Sequence, residues 1–194
     1  MADAAAAAAA ARATAMKGVQ AIFDRYHLIA QATNFNGFDR HVMENVLLVD
    51  ASPAGTATFE FVVGERYANV NGVMHGGAAG VIFDMCTTTA LGPLARPGFW
   101  DFLGGVTRAL NISYLRAIPV DTTVRIHSRV LQVGKTMALI RGEMTSLDGE
   151  KVYCTAEHHK VSVPSKPEHL LYRIEWDSIW AQDRVVAGTR KARL

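Results

Sequence analysis

One proline-free stretch, 76–91, restricts the fold of this chain more than any other feature: glycine, alanine and large apolar residues gather there around a single carboxylate, Asp84. Ala78, Ile82, Met85 and Thr89 recur at the spacing of one helical face, so the stretch reads as a long buried helix that Gly92-Pro93 brings to an end. On either side the period changes to two. Residues 44–50 and 56–63 are β-rich runs split by the turn-forming Ser52-Pro53-Ala54-Gly55, and 106–115, 123–133, 137–145 and 151–163 follow the helix. Gly134-Lys135 and Asp148-Gly149 mark tight turns, and Asp-Gly favours an antiparallel hairpin because both central residues need positive φ. The pattern is α+β, an antiparallel sheet wrapped around one long helix.

Flanking segments complete the organisation. The tract from Ala4 to Ala11 leads into Val19, Ile22, Phe23, Tyr26, Ile29 and Ala30, the spacing of an amphipathic helix ending before Asn36-Gly37. A tail after Pro164 carries Tyr172, Ile174, Trp176, Ile179 and Trp180, too aromatic for a purely disordered end and suited to packing on the body or on a partner. The expected division is 1–40, an Ala-rich tail and helix; 41–163, the sheet-and-helix domain; and 164–194, an extension. The long 92–105 connection, with Phe99, Trp100 and Phe102, either covers a ligand or packs.

Charge and cysteine content remove several classes of function. Twenty basic residues against 18 acidic ones leave a net charge of +2 with no basic stripe, which gives no case for nucleic acid. Cys86 and Cys154 lack metal-ligand or disulfide-framework spacing, so no metal or cofactor is expected and a reducing compartment fits, the cytoplasm first. The basic, acid-poor start of the first helix leaves the mitochondrial matrix as the alternative. No apolar run reaches the roughly 20 residues of a membrane span.

Asp84 demands a reason, because a carboxylate in the middle of an apolar helix is costly unless bonded, paired or open to a cleft. Gly77, Gly80 and Thr88 share its direction at 100° per residue, a stripe that leaves room for a ligand. The other reading is a buried aspartate satisfied by Thr87 or Thr88. His75-Gly76-Gly77 precedes the helix, where free N–H groups and the positive end of the dipole could stabilise an oxyanion; a plain strand-to-helix turn would use the same residues.

The run Asn69-Val-Asn-Gly-Val-Met-His75-Gly76-Gly77, with Asp84 seven residues beyond, resembles the hotdog-fold thioesterase superfamily, in its phenylacetate-pathway and thioesterase-superfamily-member-2 branch. The likeness continues through Gly105-Val106-Thr107, Leu110 to Leu115, Gly134-Lys135-Thr136 and the final strand. It implies hydrolysis of acyl-CoA or a related thioester, in a dimer or dimer of dimers with active sites between subunits. By the same likeness Asn69 and the Gly76 N–H act on the thioester carbonyl, Asp84 of the facing subunit is base or nucleophile, Thr107 orients water and His75 holds the turn. Arg129, Lys135, Lys151, His158 and Lys160 are candidates for CoA phosphates, with solvated strand charge as the alternative; His158 and Lys160 alternate onto one face. A hotdog hydratase would use a Gly-Asp-x-Asn-Pro run that is absent here, and a non-catalytic acyl-binding module is the reading from another class.

Overall fold

In the computed structural model, residues 2–101 and 105–178 are described. Their order is α1 (Ala2–Ala32), α2 (Arg40–Asn45), β1 (Leu47–Ser52), β2 (Thr56–Val63), α3 (Gly76–Thr89), β3 (Val106–Tyr114), β4 (Thr122–Val133), β5 (Met137–Thr145) and β6 (Val152–Val161). The strands form one antiparallel sheet in the order β1-β2-β4-β5-β6-β3, so among the described residues β3 has a single neighbour and a free edge. Alternation builds the sheet's inner face: Ala57, Phe59, Phe61 and Val63 of β2 are buried, as are Val124, Ile126 and Ser128 of β4. Helix α3 lies across that face and touches β2 to β6, and the 148–149 turn joins the expected hairpin of β5 and β6.

Three local expectations change. The first strand begins at Leu47, because 40–45 closes into a short helix that buries Val42 and Met43 and pairs Arg40 with Glu44 at 2.6 Å. Helix α1 extends back through the alanine tract, as alanine's high helix propensity favours, and Arg12 reaches Asp50 on β1 at 2.5 Å. The buried stripe of α3 is Ala79, Ile82, Phe83 and Cys86, with Thr87, Thr88 and Thr89, while Ala78 and Met85 are only half-buried.

A close backbone approach fixes the C-terminal end of that helix in place. A Cβ on Gly92, just after α3, would fall 2.5 Å from the Gly18 carbonyl oxygen, so α1 crosses the turn in direct backbone contact. Trp100 is buried and donates its indole N–H to the Gly134 carbonyl at 2.7 Å, which makes it a packing residue of the 92–105 connection. Phe102 lies outside the described residues. The tail returns to α1: Trp176 packs beside Gly18 and Asp177 pairs with Arg25, while Ile179 and Trp180 are outside the described residues.

Gly142 on β5 sets how near α3 comes to the sheet. A Cβ there would lie 2.7 and 2.9 Å from ring carbons of Phe83 and 3.1 Å from the Thr87 methyl. Gly142→Val is therefore expected to destabilise the fold by about 1–3 kcal/mol through overpacking, and Gly142→Ala by less. Urea unfolding measures both; an unchanged midpoint for the valine variant would show that α3 has room to retreat.

Candidate active site

Asp84 leaves α3 at the boundary between its buried and open faces, with its side chain 41% exposed. Its Oδ1 accepts from Thr107 Oγ1 at 3.0 Å and from Thr88 Oγ1 at 3.4 Å, and faces His158 Nε2 at 3.6 Å and Lys160 Nζ at 3.8 Å. Thr107 reaches it because of a bulge. The β3–β6 register shifts between Thr107 and Ala109, which pairs Thr107 with Lys160 and turns its hydroxyl toward the helix; unbroken alternation would have put it on the face of Ala109, Asn111 and Ser113.

His158 links this carboxylate to the floor of the helix. Its Nε2 is 2.9 Å from Thr107 Oγ1, its Nδ1 is 2.6 Å from Thr87 Oγ1, and Thr87 Oγ1 is 2.5 Å from the Phe83 carbonyl oxygen. The chain of contacts therefore ends on an acceptor at each end, the Asp84 carboxylate and the Phe83 carbonyl. A neutral imidazole and two hydroxyls bring three protons to four links, whereas an imidazolium would fill all four. Burial, helped by the Lys160 and His159 charges and opposed by Asp84, pushes the His158 pKa down to about 4, so the ring is neutral near pH 7. The Nε2–H tautomer serves Asp84 best: the ring donates to Thr107 Oγ1, which frees the threonine proton for the carboxylate.

A second cluster occupies the N-terminus of α3. His75 is the N-cap and its Nδ1 accepts from the Gly77 N–H at 2.9 Å, while Tyr114 Oη donates to the Gly76 carbonyl at 2.7 Å. Both peptides of the turn are thus held, yet the Gly76 N–H has no partner among the described residues. Asn69 Oδ1 accepts from the Asn71 N–H at 2.8 Å, which leaves the Asn69 amide N–H groups without a partner among the described residues. Beside this turn a cavity of about 410 Å³ opens between Gly77, Ala78 and Val81 of α3 and Phe38, Val42 and Tyr67.

The structure brings Asp84, Thr88, Thr107, His158 and Lys160 together, and separately His75, Gly76 and Gly77. Two of the five proposed phosphate contacts lie elsewhere than expected. His158 and Lys160 are 0% and 2% exposed, facing α3 with Cys154 and Ala156 rather than an open surface. Arg129 is exposed on the opposite face of β4 from buried Ser128, and Lys135 and Lys151 are exposed beside turns. Thr88 is buried under Asp84 instead of lining a cleft. Thr87, read as a possible partner of the Asp84 carboxylate, meets His158 instead, and Tyr114, which had no assigned role, holds the Gly76 carbonyl. The shared parity of 154, 156, 158 and 160 was the signal that both side chains point inward.

The depressed His158 pKa links to stability with a definite sign. Between about pH 4 and its ordinary 6.5 the unfolded chain binds a proton that the folded chain does not, so stability falls as pH falls through that window, by on the order of 3 kcal/mol. Denaturation midpoints taken at pH 7 and pH 4.5 should separate clearly, and the gap should narrow in His158→Gln. An equal gap in that variant would assign the acid sensitivity elsewhere.

Among the described residues no three His, Cys, Asp or Glu side chains are placed to hold a metal ion, and no described helix is long and apolar enough to cross a membrane. A family model described as the thioesterase superfamily matches residues 71–153. Acyl-coenzyme A thioesterase 13 of Mus musculus is 32% identical over 124 residues, 64% of this chain and 84% of that protein. Two solved structures are similar, thioesterase superfamily member 2 from zebra fish and from Mus musculus. Each is 27% identical; their TM-scores are 0.58 and 0.59, over 70% and 74% of this chain and 93% and 96% of theirs. The antiparallel sheet around α3 is the hotdog fold, and the chain belongs to the thioesterase superfamily.

Proposed function

We propose that this chain hydrolyses an acyl-CoA or related acyl thioester to the free acid and thiol, in an active site that two copies of the chain complete together. The observation that carries this reading is the arrangement along α3. A free N–H at Gly76 and an oriented carboxylate at Asp84 lie on one helix, eight residues and so about 12 Å of axial rise apart. A thioester carbonyl and its attacking water need donor and base within about 3 Å of adjacent atoms, so a single helix cannot supply both. A second copy bringing its Asp84 to this Gly76 would. The free edge of β3, with Val106 and Tyr114 about half exposed, and the half-open face of α3 are surfaces on which such a copy could seat.

In this mechanism the Gly76 N–H and the Asn69 amide polarise the thioester oxygen, and the α3 dipole adds to the oxyanion's stabilisation. Water attacks the carbonyl carbon as Asp84 takes its proton. Collapse of the tetrahedral intermediate breaks the C–S bond, and the departing thiolate takes the proton. Thr107 holds the carboxylate, and the cavity beside Gly77, within the size range of small-ligand pockets, receives the acyl group. Acyl-coenzyme A thioesterase 13 supports CoA as the carrier. His158 has both ring nitrogens engaged by threonines, which disfavours the Asp–His chemistry of a hydratase.

Asp84→Asn keeps the shape and removes the base, and its kcat on acyl-CoA substrates should fall about 10²-fold or more. Normal turnover in the purified variant would remove Asp84 from the mechanism. Single-turnover hydrolysis in H₂¹⁸O should put the label straight into the acid; a label appearing first on the Asp84 carboxylate would make it the nucleophile. Mixed oligomers of Asp84→Ala and Asn69→Ala chains should recover part of the activity that each lacks, and verified mixed oligomers without recovery would overturn the shared site. Gly76→Ala would set its Cβ 3.3 Å from the Tyr114 ring and crowd the carbonyl's approach, so it should lower turnover in a folded protein.

A further inference from the structure

Every contact of Asp84 converges on Oδ1, and Oδ2 has no partner among the described residues. Four groups hold one oxygen, and only one of them carries charge at neutral pH. Thr88 and Thr107 are hydroxyls, His158 is neutral, and Lys160 is the remaining ammonium, its side chain 3% exposed and 3.8 Å from Oδ1. It lies in register between Thr107 on β3 and Ala138 on β5, facing the helix. The other charged or titratable groups near it are His158 and His159 of its own strand and Asp84 of α3, while Arg108 of β3 turns toward Met137. Among the described residues Asp84 is the one carboxylate within ion-pair distance of Lys160.

We propose that Lys160 is a positioning residue for hydrolysis: its buried ammonium keeps the Asp84 carboxylate turned with Oδ1 against the sheet, so that Oδ2 faces the substrate. This rests on the reading of Asp84 as the reacting carboxylate. A packing role would be met better by an apolar side chain, since an ammonium this deeply buried is desolvated and its attraction to a half-exposed carboxylate returns only part of that cost. At 3.8 Å the interaction is Coulombic rather than a hydrogen bond, so it sets the carboxylate's direction without consuming its acceptor capacity. Thr107, directly opposite in register, supplies the hydrogen bond that the lysine does not.

Burial pushes the Lys160 pKa from its ordinary 10.5 down to about 8, against the pull of Asp84. The counter-charge is then lost as pH rises through about 8, and turnover should fall with it. Stability runs the other way. Between about pH 8 and 10.5 the unfolded chain holds a proton that the folded chain has released, so folding strengthens as pH rises through that window.

The test compares purified wild type, Lys160→Met, Lys160→Gln, Lys160→Arg and Asp84→Asn by steady-state kinetics on one acyl-CoA from pH 5 to 10, with thermal melts. In Lys160→Met we expect kcat to fall about 10- to 100-fold with KM within about twofold of wild type. Its alkaline limb near pH 8 should vanish and its Tm should hold or rise. Lys160→Arg, always charged, should keep more turnover and carry its limb to higher pH. If Lys160→Met does not fold, Lys160→Gln is read by the same criteria. Loss of activity in Asp84→Asn together with wild-type kcat in the Lys160 variants would overturn this inference alone, as would a Lys160 variant that loses kcat yet keeps the wild-type alkaline limb. Wild-type turnover in Asp84→Asn would instead overturn the reading on which it rests.

Discussion

The seating of α3 on β5 and β6 determines the direction of everything the helix carries. Phe83 presses into the space left by Gly142, and one turn later Thr87 meets His158 beneath it. The pair forms two registration points, one apolar and one polar, and together they fix rotation as well as distance. Apolar contact fixes the helix through the fit of side chains alone, because dispersion is not directional. A buried hydroxyl with two oxygen or nitrogen neighbours at 2.5 and 2.6 Å adds a directional constraint. Asp84 follows Phe83 by one residue, so its position at the rim of the sheet is a consequence of that lock.

Fixing the helix in this way also divides its chemistry. The half that faces the sheet is filled, down to three consecutive threonines, whereas Gly77, Val81, Asp84 and Met85 remain open or half-open. The N-terminal turn holds a free N–H and the middle holds a carboxylate, and the helical rise keeps them apart. An enzyme built from one such chain would need a bend or a loop to join them. The twofold pairing proposed above would join them without altering either, because an isologous contact presents every residue of one copy to the other in reverse order. The free edge of β3 carries the bulge that aims Thr107, so the strand that orients the carboxylate also offers the unpaired backbone such a pairing would use.

Periodicity made the framework legible: the bounds of β2 and β5 were read as they stand, and α3 starts where the glycines indicated. The helix at 40–45 was not legible, since six residues are too few for a 3.6-residue period to show against a period of two. Asp84 stood out in the sequence because its burial cost did. His158 and Lys160 were found but read as contacts for CoA phosphates near a surface, although they continue the inward parity of Cys154 and Ala156; charge was weighed above alternation, and the core face here accepts charge because Asp84 overhangs it. Thr107 lay beyond pattern altogether. A bulge reverses parity and leaves no trace in a single sequence, so only the register reveals that residue 107 turns inward.

The polar layer between α3 and β6 sacrifices stability for geometry. A neutral His158 short of one proton and a desolvated Lys160 both disfavour the folded state relative to an apolar floor, and no other described carboxylate lies near enough to compensate them. Their cost is tolerable because the rest of the helix face, Ala79, Ile82, Phe83 and Cys86, is wholly buried and closely packed. What the layer yields is an asymmetric carboxylate. With one oxygen surrounded by a hydroxyl pair, an imidazole and an ammonium, a partial rotation of the Asp84 carboxylate would break every contact at once, whereas a half-turn only exchanges two equivalent oxygens. The free oxygen is thereby presented in a single orientation before any substrate arrives, which is the condition that the proposed reaction places on a carboxylate acting at a fixed distance from a thioester carbonyl.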